Sequence, residues 1–310
     1  MKRARRPAVA VIGAGRLARV FLPHLAAAGY GVVAVASRSA EDARRLCRAI
    51  PGTRPAASPA AAVERARIVL LAVPDRELEP LARELARDVP RGWRARTVIH
   101  HAGALGPSVL APLSRRGAAV AVLHPLQVLG SSRAARAVLA GSRARIEGDA
   151  RGVRTARRLA LDLGLVPVRF PRPLGPAGRA AWHAAASLAS NDLVALLSLA
   201  AETLGATGLG PDEALWVLLP LARGALAHLE TGGIDGALTG PVARGDAATV
   251  ASQLRTLRAS CPEALDAHRA LSLRLLRIAA AAGRVSAADK AALRRVLAGS
   301  TRGRSRTRIV

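Results

Sequence analysis

Residues 8–39 read AVAVIGAGRLARVFLPHLAAAGYGVVAVASRS, which predicts a strand, a glycine turn, a helix and a second strand. Gly13, Gly15 and Ala18 form a G-x-G-x-x-A pattern directly after the first apolar run. In such a turn, Gly13 permits the bend, Gly15 lets the backbone approach a pyrophosphate, and Ala18 allows close packing of helix and sheet. We therefore expect a dinucleotide at the start of this helix, where free N–H groups favour phosphates; a purely structural turn is the alternative. The residues expected around the phosphates are Gly13, Ala14, Gly15, Arg16 and Leu17.

The end of the second strand indicates which dinucleotide binds. NAD sites usually carry Asp or Glu there for the ribose 2′-hydroxyl, but this chain has Ser37, Arg38 and Ser39, with no acid before Glu41. Two hydroxyls and a guanidinium suit a 2′-phosphate, since Arg can bind phosphate through two parallel hydrogen bonds. We predict NADP(H) rather than NAD(H). The alternative is that Arg38 is one more solvated arginine.

The composition limits the classes of function. The chain has 310 residues, is 51% hydrophobic, and carries a formal net charge of +26. Lys2 and Lys290 are its two lysines, and the arginines are scattered along the chain. Aromatic residues, which would stack on bases, make up only 2%. We therefore expect no specific nucleic-acid partner, although a salt-sensitive polyanion binder remains an alternative.

The cysteines and the N-terminus indicate the compartment. Cys47 and Cys261 lie far apart without metal-ligand spacing, so we expect reduced thiols, a cytoplasmic location and no metal. The basic start and following apolar run mimic a secretion signal, but the glycine turn interrupts the run. No stretch has 18 uninterrupted apolar residues, so we expect no membrane span.

Short apolar strands alternate with helical patterns up to about residue 170, which predicts an α/β, doubly wound parallel sheet of the Rossmann type over residues 7–171. Ligands bind beyond the carboxyl ends of such strands. Distinctive sequences stand at those ends, namely Val73–Asp75, His100–Gly103 and His124–Pro125. From these we expect Val73, Pro74, Asp75 and His100 to contact the cofactor.

Pro171–Pro176 reads PRPLGP and predicts a domain boundary. Residues 172–298 read as an all-α domain that would bind the substrate, and residues 299–310 as a disordered basic tail. We expect one long helix from about Ala177 to Leu204. Its polar residues His183, Ser187, Ser190 and Asn191 would then share one face, either for a ligand or as a polar seam between helices.

A second polar motif, ALTGPVARGD, occupies Ala237–Asp246. We expect Asp246 to cap the next helix, as Ser286 would cap the last one. Capping leaves Arg244 and Thr239 unexplained. We expect Arg244 to bind a carboxylate or phosphate; a structural turn is the alternative.

Together these motifs resemble a bacterial family that joins a Rossmann-like domain to a helical C-terminal domain of unknown function. It belongs to the wider group with a C-terminal domain like that of 6-phosphogluconate dehydrogenase. The most specific matches are the helix motif from Trp182 to Asn191 and the Leu-Thr-Gly-Pro motif at Leu238–Pro241. Ala102 departs from the family's His-x-Ser-Gly pattern, and Trp182 stands where Tyr is common.

The resemblance implies an NADP-dependent oxidoreductase, a ketopantoate reductase-like activity and a homodimer. We expect NADPH to reduce a small carboxylated carbonyl or imine substrate in the cleft between the domains. His183 would protonate the product because imidazole exchanges protons near neutral pH, with His124 as the second candidate. Asn191 and Ser187 would orient the substrate, and Arg244 would pair with its carboxylate. The absence of a serine at Ala102 leaves a non-catalytic NADP(H)-binding or redox-sensing protein as the alternative.

Overall fold

Eight strands form one sheet in the N-terminal half of the computed structural model, which describes residues 6–130 and 139–299. The predicted disordered tail beyond Gly299 lies outside the described residues. The strands are β1 (Val9–Ile12), β2 (Val32–Ala36), β3 (Arg54–Pro55), β4 (Ile68–Leu71), β5 (Thr97–His100), β6 (Ala119–Pro125), β7 (Arg143–Gly148) and β8 (Val166–Pro167).

The strand order is β3-β2-β1-β4-β5-β6-β7-β8. Strands β1 to β6 pair in parallel, but β6 and β7 are antiparallel, with Leu123 opposite Ile146. The predicted parallel sheet is confirmed from β1 to β6, and β7 adds an antiparallel pairing, as commonly occurs toward one edge of such sheets. The chain places β2 and β3 on one side of β1 and β4 and later strands on the other. The direction of strand succession therefore changes between the neighbours β1 and β4, and doubly wound sheets bind ligands at such a point.

Helices cover both faces of the sheet, as predicted. Val9 and Val11 pack with Phe21 and Leu159 on one face, while the alternate strand residues pack with Leu85 on the other. The helices of this half are α1 (Arg16–Ala27), α2 (Ala40–Arg48), α3 (Pro59–Glu64), α4 (Leu78–Asp88), α5 (Ala111–Arg115), α6 (Ala150–Asp162) and α7 (Pro176–Ala189).

The rest of the described chain is helical, with its own apolar core around Val250, Leu254, Leu276 and Leu293. Asp246 accepts a hydrogen bond from Thr249 N, and Ser286 accepts one from Asp289 N, so both predicted caps are confirmed. The helices are α8 (Asn191–Gly205), α9 (Pro211–Ala237), α10 (Ala247–Ser260), α11 (Pro262–Ala281) and α12 (Ala287–Ala298).

The chain divides into two compact units between Ser187 and Leu188, not at the predicted boundary after residue 171. Helix α7 belongs to the first unit because Arg179 and Trp182 bond to strands of the sheet. The predicted single long helix is also interrupted, since Ser190 has φ −131° and ψ −71° and separates α7 from α8.

The segment Pro176–Gly205 is long and apolar enough to cross a membrane, by length and composition only. Its best 18-residue window has a mean hydropathy of 1.5, and 6% of that window is buried. The sequence predicts no membrane span because it has no uninterrupted apolar run of 18 residues. This segment contains a few polar residues, but its mean hydropathy is high enough for a span. Exposed apolar helices of this kind also occur where protein chains associate.

Candidate functional site

The two motif glycines are required for different reasons. Gly13 has φ +107°, and a Cβ there would lie 2.2 Å from the carbonyl oxygen of Ala72 at the end of β4. A side chain at Gly13 would therefore clash with the neighbouring strand. Gly15 caps α1 without a side-chain hydrogen bond, and a Cβ there would meet no protein atom within 4 Å. The start of α1 is thus an open backbone surface that fits a phosphate group.

A cavity of about 520 Å³ adjoins this turn. Seven of the expected cofactor residues line this cavity, namely Gly13, Ala14, Gly15, Ser37, Arg38, Val73 and Pro74. Arg19 and Glu77 line it as well. Its size and donors fit the nucleotide part of a dinucleotide. Arg38 is 81% exposed and lies 3.8 Å from Glu77, so its guanidinium is accessible to an anion.

Two residues of this region have roles that the sequence did not indicate. Ser39 does not line the cavity, because its hydroxyl accepts a hydrogen bond from Asp42 N and caps α2. Arg19 was not predicted; its Nε donates to Ala14 O at 3.2 Å, and its guanidinium pairs with Asp42 at 2.8 Å. Arg19 therefore braces the glycine turn against α2.

Arg16 and Leu17 line a second cavity of about 310 Å³, together with His101 and His124. His100, by contrast, is fully buried and lines neither cavity. Its Nδ1 accepts a hydrogen bond from Ala102 N, and its Nε2 lies 3.1 Å from Gly106 O. Both ring nitrogens of His100 therefore bond to the backbone of the following loop, and its contact with a cofactor stays a prediction.

His124 lies at the end of β6, where the Trp182 indole Nε1–H donates a hydrogen bond to its Nδ1 at 3.1 Å. Trp182 is itself packed edge-on against Phe170, with ring centroids 5.5 Å apart. Burial lowers the pKa of His124 to about 4, and the positive charge of Arg145 acts in the same direction. His124 is therefore neutral at pH 7.

His183 approaches His124 across Gly103. A Cβ at Gly103 would lie 2.7 Å from His183 Nδ1 and 2.8 Å from His124 Nε2, so both imidazoles face the same point. His183 is exposed, whereas burial raises the pKa of the Asp75 carboxyl and the charge of His183 opposes that rise. The structure thus brings His124 and His183 together at a glycine that has no room for a side chain. Asp75 lies close enough to His183 for their charges to interact.

Arg145 supports the loop that carries Gly103. This side chain in β7 is fully buried and donates to the carbonyl oxygens of Ala102, Gly103 and Leu105 at 3.0, 3.1 and 3.0 Å. Its charge is balanced by Glu147, which also pairs with Arg179 at 2.9 Å. Sequence reasoning missed Arg145, since one arginine in an arginine-rich chain gives no distinguishing signal.

The remaining predicted residues lie elsewhere. Ser187 ends the first unit, whereas Asn191 begins α8 in the second unit. The break at Ser190 removes the single continuous helix on which their shared face was predicted. Arg244 is exposed in the second unit, in a turn where its N–H bonds to Gly240 O and Pro241 O.

The sequence matches two known domain families. Residues 1–125 match the Rossmann-like domain, and residues 142–275 match the family described as Domain of unknown function (DUF2520). The chain therefore belongs to the proteins that join a Rossmann-like domain to a DUF2520 domain, as its motifs predicted. No curated protein matches the chain.

Solved structures share this architecture over most of the chain. A candidate NADP oxidoreductase from Bacteroides fragilis gives a TM-score of 0.70 at 22% identity, covering 88% of this chain and 99% of its own. The 1-pyrroline-5-carboxylate reductase of Streptococcus pyogenes gives 0.59 at 14% identity, covering 89% and 99%. An imine reductase from Myxococcus stipitatus, in complex with NADP⁺, gives 0.57 at 17% identity, covering 90% and 94%. These likenesses confirm the predicted fold class.

Proposed function

We propose that this protein is an NADPH-dependent reductase of a small carboxylated carbonyl or imine compound. The observation that carries the proposal is the convergence of His124 and His183 on Gly103 in the unit that also holds the glycine turn. In sheets of this type, both features belong to the ligand-binding edge. The names of the structural neighbours, which include NADP oxidoreductases and imine reductases, agree with this proposal.

The residues of the first cavity would hold the cofactor. The free N–H groups at Gly15 and the start of α1 would bind the pyrophosphate, and Ser37 and Arg38 would bind the 2′-phosphate. Val73 and Pro74, which follow β4, also line the cavity. The chemistry that bound NADPH supplies is transfer of a hydride to an electrophilic carbon.

The chain's own residues would manage the proton and the substrate. His183 is the proposed proton donor to the reduced oxygen or nitrogen, since it is exposed to solvent and can regain its proton after each turnover. His124 is neutral and suits a hydrogen-bonding role. We also propose Ser187 and Asn191 as substrate-orienting residues and Arg244 as the partner of the substrate carboxylate.

Two substrate classes should be tested first. A ketopantoate-like 2-keto acid is the substrate that the family resemblance favours. A cyclic imine carboxylate is the second candidate, because the neighbours include 1-pyrroline-5-carboxylate reductase and imine reductase. Both substrates combine an electrophilic carbon with a carboxylate, so the same residues would serve either one.

The activity is tested by following NADPH oxidation against a panel of 2-keto acids and cyclic imines. We expect turnover with at least one carboxylated substrate and a loss of about 10²–10⁴-fold in kcat for His183→Gln with NADPH affinity retained. Unchanged turnover in His183→Gln would remove His183 from this role. Tight NADPH binding without turnover across the panel would instead support the non-catalytic alternative.

Cofactor preference has its own test. We expect the protein to bind NADPH more tightly than NADH, and Arg38→Ala to remove most of that difference. Arg76→Ala is the matched control, because Arg76 is equally exposed beside Glu77 but does not line the cavity. Equal affinities of the wild-type protein for the two cofactors would contradict the proposal.

We also propose a homodimer and a cytoplasmic location. The homodimer is supported by the exposed apolar side chains of α8 and α9, which include Val194, Trp216 and Leu221. The cytoplasmic location is supported by the use of a cellular cofactor and by two buried, unpaired cysteines.

A further inference from the structure

Trp182 and His124 form a directional pair. An indole nitrogen can only donate a hydrogen bond, whereas a neutral imidazole has one donor nitrogen and one acceptor nitrogen. The 3.1 Å bond from Trp182 Nε1 to His124 Nδ1 therefore requires an unprotonated Nδ1. The proton of the neutral ring must then lie on Nε2.

The protonated nitrogen faces the candidate site. His124 Nε2 lies 2.8 Å from the point where a Cβ of Gly103 would stand, and His183 Nδ1 lies 2.7 Å from the same point. The indole thus contacts one side of the ring while the other side carries the donor toward His183. Packing of Trp182 against Phe170 holds the indole in this orientation.

The charges around His124 oppose its protonation. Burial is the largest cause of the lowered pKa of His124. The positive charges of Arg145, His183 and His100 lower it further, because they repel a charged imidazolium. The indole adds a specific obstacle, because a proton on Nδ1 would face the Trp182 N–H directly. His124 is consequently held as a neutral ring over the range in which enzymes usually work.

We propose that Trp182 is a positioning residue that fixes His124 in the Nε2–H tautomer, so that His124 offers the substrate a neutral hydrogen-bond donor. The role toward substrate rests on the proposed reductase function, whereas the tautomer itself does not. In that role, His124 would bind the carbonyl oxygen or imine nitrogen without changing charge, and proton transfer would be left to His183. A fixed donor costs no reorganisation during the reaction.

The tautomer is tested on the full-length, ¹⁵N-labelled protein without cofactor or substrate. We expect a scalar coupling across the hydrogen bond between Trp182 Nε1 and His124 Nδ1, and a ¹⁵N shift of the protonated type at His124 Nε2. His124→Gln assigns the signals. This measurement needs no Trp182 variant, so it does not depend on how such a variant folds.

Substitution then tests the positioning role. In Trp182→Phe, we expect the NMR titration midpoint of His124 to rise by about one pH unit, because the loss of one hydrogen bond removes about that much bias. We also expect kcat/KM to fall roughly tenfold and a new ionisation to enter its pH profile. Trp216→Phe is the matched control: it removes an exposed tryptophan from α9 and should change neither the midpoint nor the profile.

Two results would overturn the proposal. One is a proton on Nδ1 of His124 in the wild-type protein. The other is a Trp182→Phe variant, folded by circular dichroism, whose His124 titrates at the wild-type pH. Absence of reductase activity in the wild-type protein would contradict the proposed function but leave the tautomer measurement valid, so the two failures are distinguishable.

Discussion

At the scale of single residues, the glycine turn separates a folding requirement from a binding requirement. Gly13 combines a positive φ with contact against the Ala72 carbonyl, so its lack of a side chain serves the fold. Gly15 has an ordinary φ of −75° and open space beside it. Its lack of a side chain serves the approach of a ligand.

The two glycines should therefore respond differently to alanine. We expect Gly15→Ala to leave the melting temperature nearly unchanged and to weaken NADPH binding by about tenfold or more, since a methyl group would stand where the pyrophosphate approaches. Gly13→Ala should lower stability by about 1–3 kcal/mol through backbone strain, with the clash adding to it. Thermal unfolding and cofactor titration of the two variants check this. Equal destabilisation by both would refute the distinction.

Gly103 is the third glycine whose lack of a side chain matters. The methyl group of Gly103→Ala would press on the ends of two imidazole rings. His183 is exposed and can move, so we expect little loss of stability but a loss of about 10²-fold in kcat/KM, as expected for displacement of catalytic groups by about 1 Å. Ser108→Ala, in the same loop region, should keep full activity in the same assay. Wild-type kinetics in Gly103→Ala would show that the two rings do not act together.

The sequence could predict some of these residues and not others. Gly13 and Gly15 were predictable because a local motif dictates their backbone. His124 and His183 were predictable as polar residues at a strand end and on an apolar helix. The structural role of His100 was not, because it depends on the path of the backbone from Ala102 to Gly106.

At the scale of elements, β7 has an unexpected function. It enters the sheet antiparallel to β6, which places Arg145 under the loop after β5. Arg145 donates to the buried carbonyl oxygens of Ala102 and Gly103 and to the partly buried one of Leu105, and buried carbonyl oxygens without donors are costly. The loop geometry that brings Gly103 to the histidines therefore depends on a strand some 40 residues later in the chain.

Replacement of the buried guanidinium tests this dependence. We expect Arg145→Met to lower the free energy of unfolding by about 3–5 kcal/mol, since it leaves Glu147 and the three carbonyl oxygens without their buried partner. Arg143→Met is the control, because Arg143 lies at the exposed start of the same strand. Urea unfolding of both variants measures the difference. Similar curves for the two variants would mean that Arg145 is not required for the loop.

The helices and strands were predicted well where the hydrophobic periodicity was strong. They were predicted poorly where contacts between distant residues determine the direction or the end of an element. Strands β1, β2, β4, β5 and β6 follow from apolar runs with turn residues at their ends, whereas the two exposed residues of β3 carry no such pattern. The direction of β7 does not, because a short strand has the same sequence pattern in either direction. The break at Ser190 was also missed, since Ala and Leu on both sides favour continuous helix.

At the scale of the whole molecule, the N-terminal unit contains three neutral histidines, of which His100 and His101 are buried and His124 is half-buried. Burial lowers the pKa of His100 to about 4, of His101 to about 3 and of His124 to about 4. In the unfolded chain, histidines titrate near pH 6.5. Below about pH 6.5 the unfolded state therefore binds more protons than the folded state. The contribution of these histidines to the free energy of unfolding is fully present above about pH 6.5 and is lost as the pH falls toward about 4.

Each histidine should contribute a slope of about 1.4 kcal/mol per pH unit within that window. We expect hydrogen-exchange protection of β5 and β6, corrected for the intrinsic exchange rate, to decline between pH 6 and 5 accordingly. His101→Gln should reduce the dependence of the free energy of unfolding on pH by the contribution of one histidine, whatever its effect on the stability at neutral pH. A wild-type protection that does not change over this range would contradict the neutral burial of these rings.

The second unit exposes large apolar side chains on α8 and α9. Trp216 is 71% exposed and Leu221 72% exposed on α9, which packs on α8 with its own exposed Val194. Large apolar side chains exposed on two packed helices favour association with another protein surface. A second copy of the chain is the proposed partner, and burial of this surface would stabilise the pair through the hydrophobic effect.

A charge placed on this surface should separate the two copies. We expect the wild-type protein to sediment as a dimer and Leu221→Glu to raise the dimer dissociation constant by about two orders of magnitude or more, since burial of an unpaired carboxylate costs several kcal/mol. Leu161→Glu is the matched control, because Leu161 is a 55% exposed leucine of the N-terminal unit. It should leave the dimer intact. A wild-type monomer at micromolar concentration, or equal dissociation in both variants, would mean that a different partner covers α8 and α9.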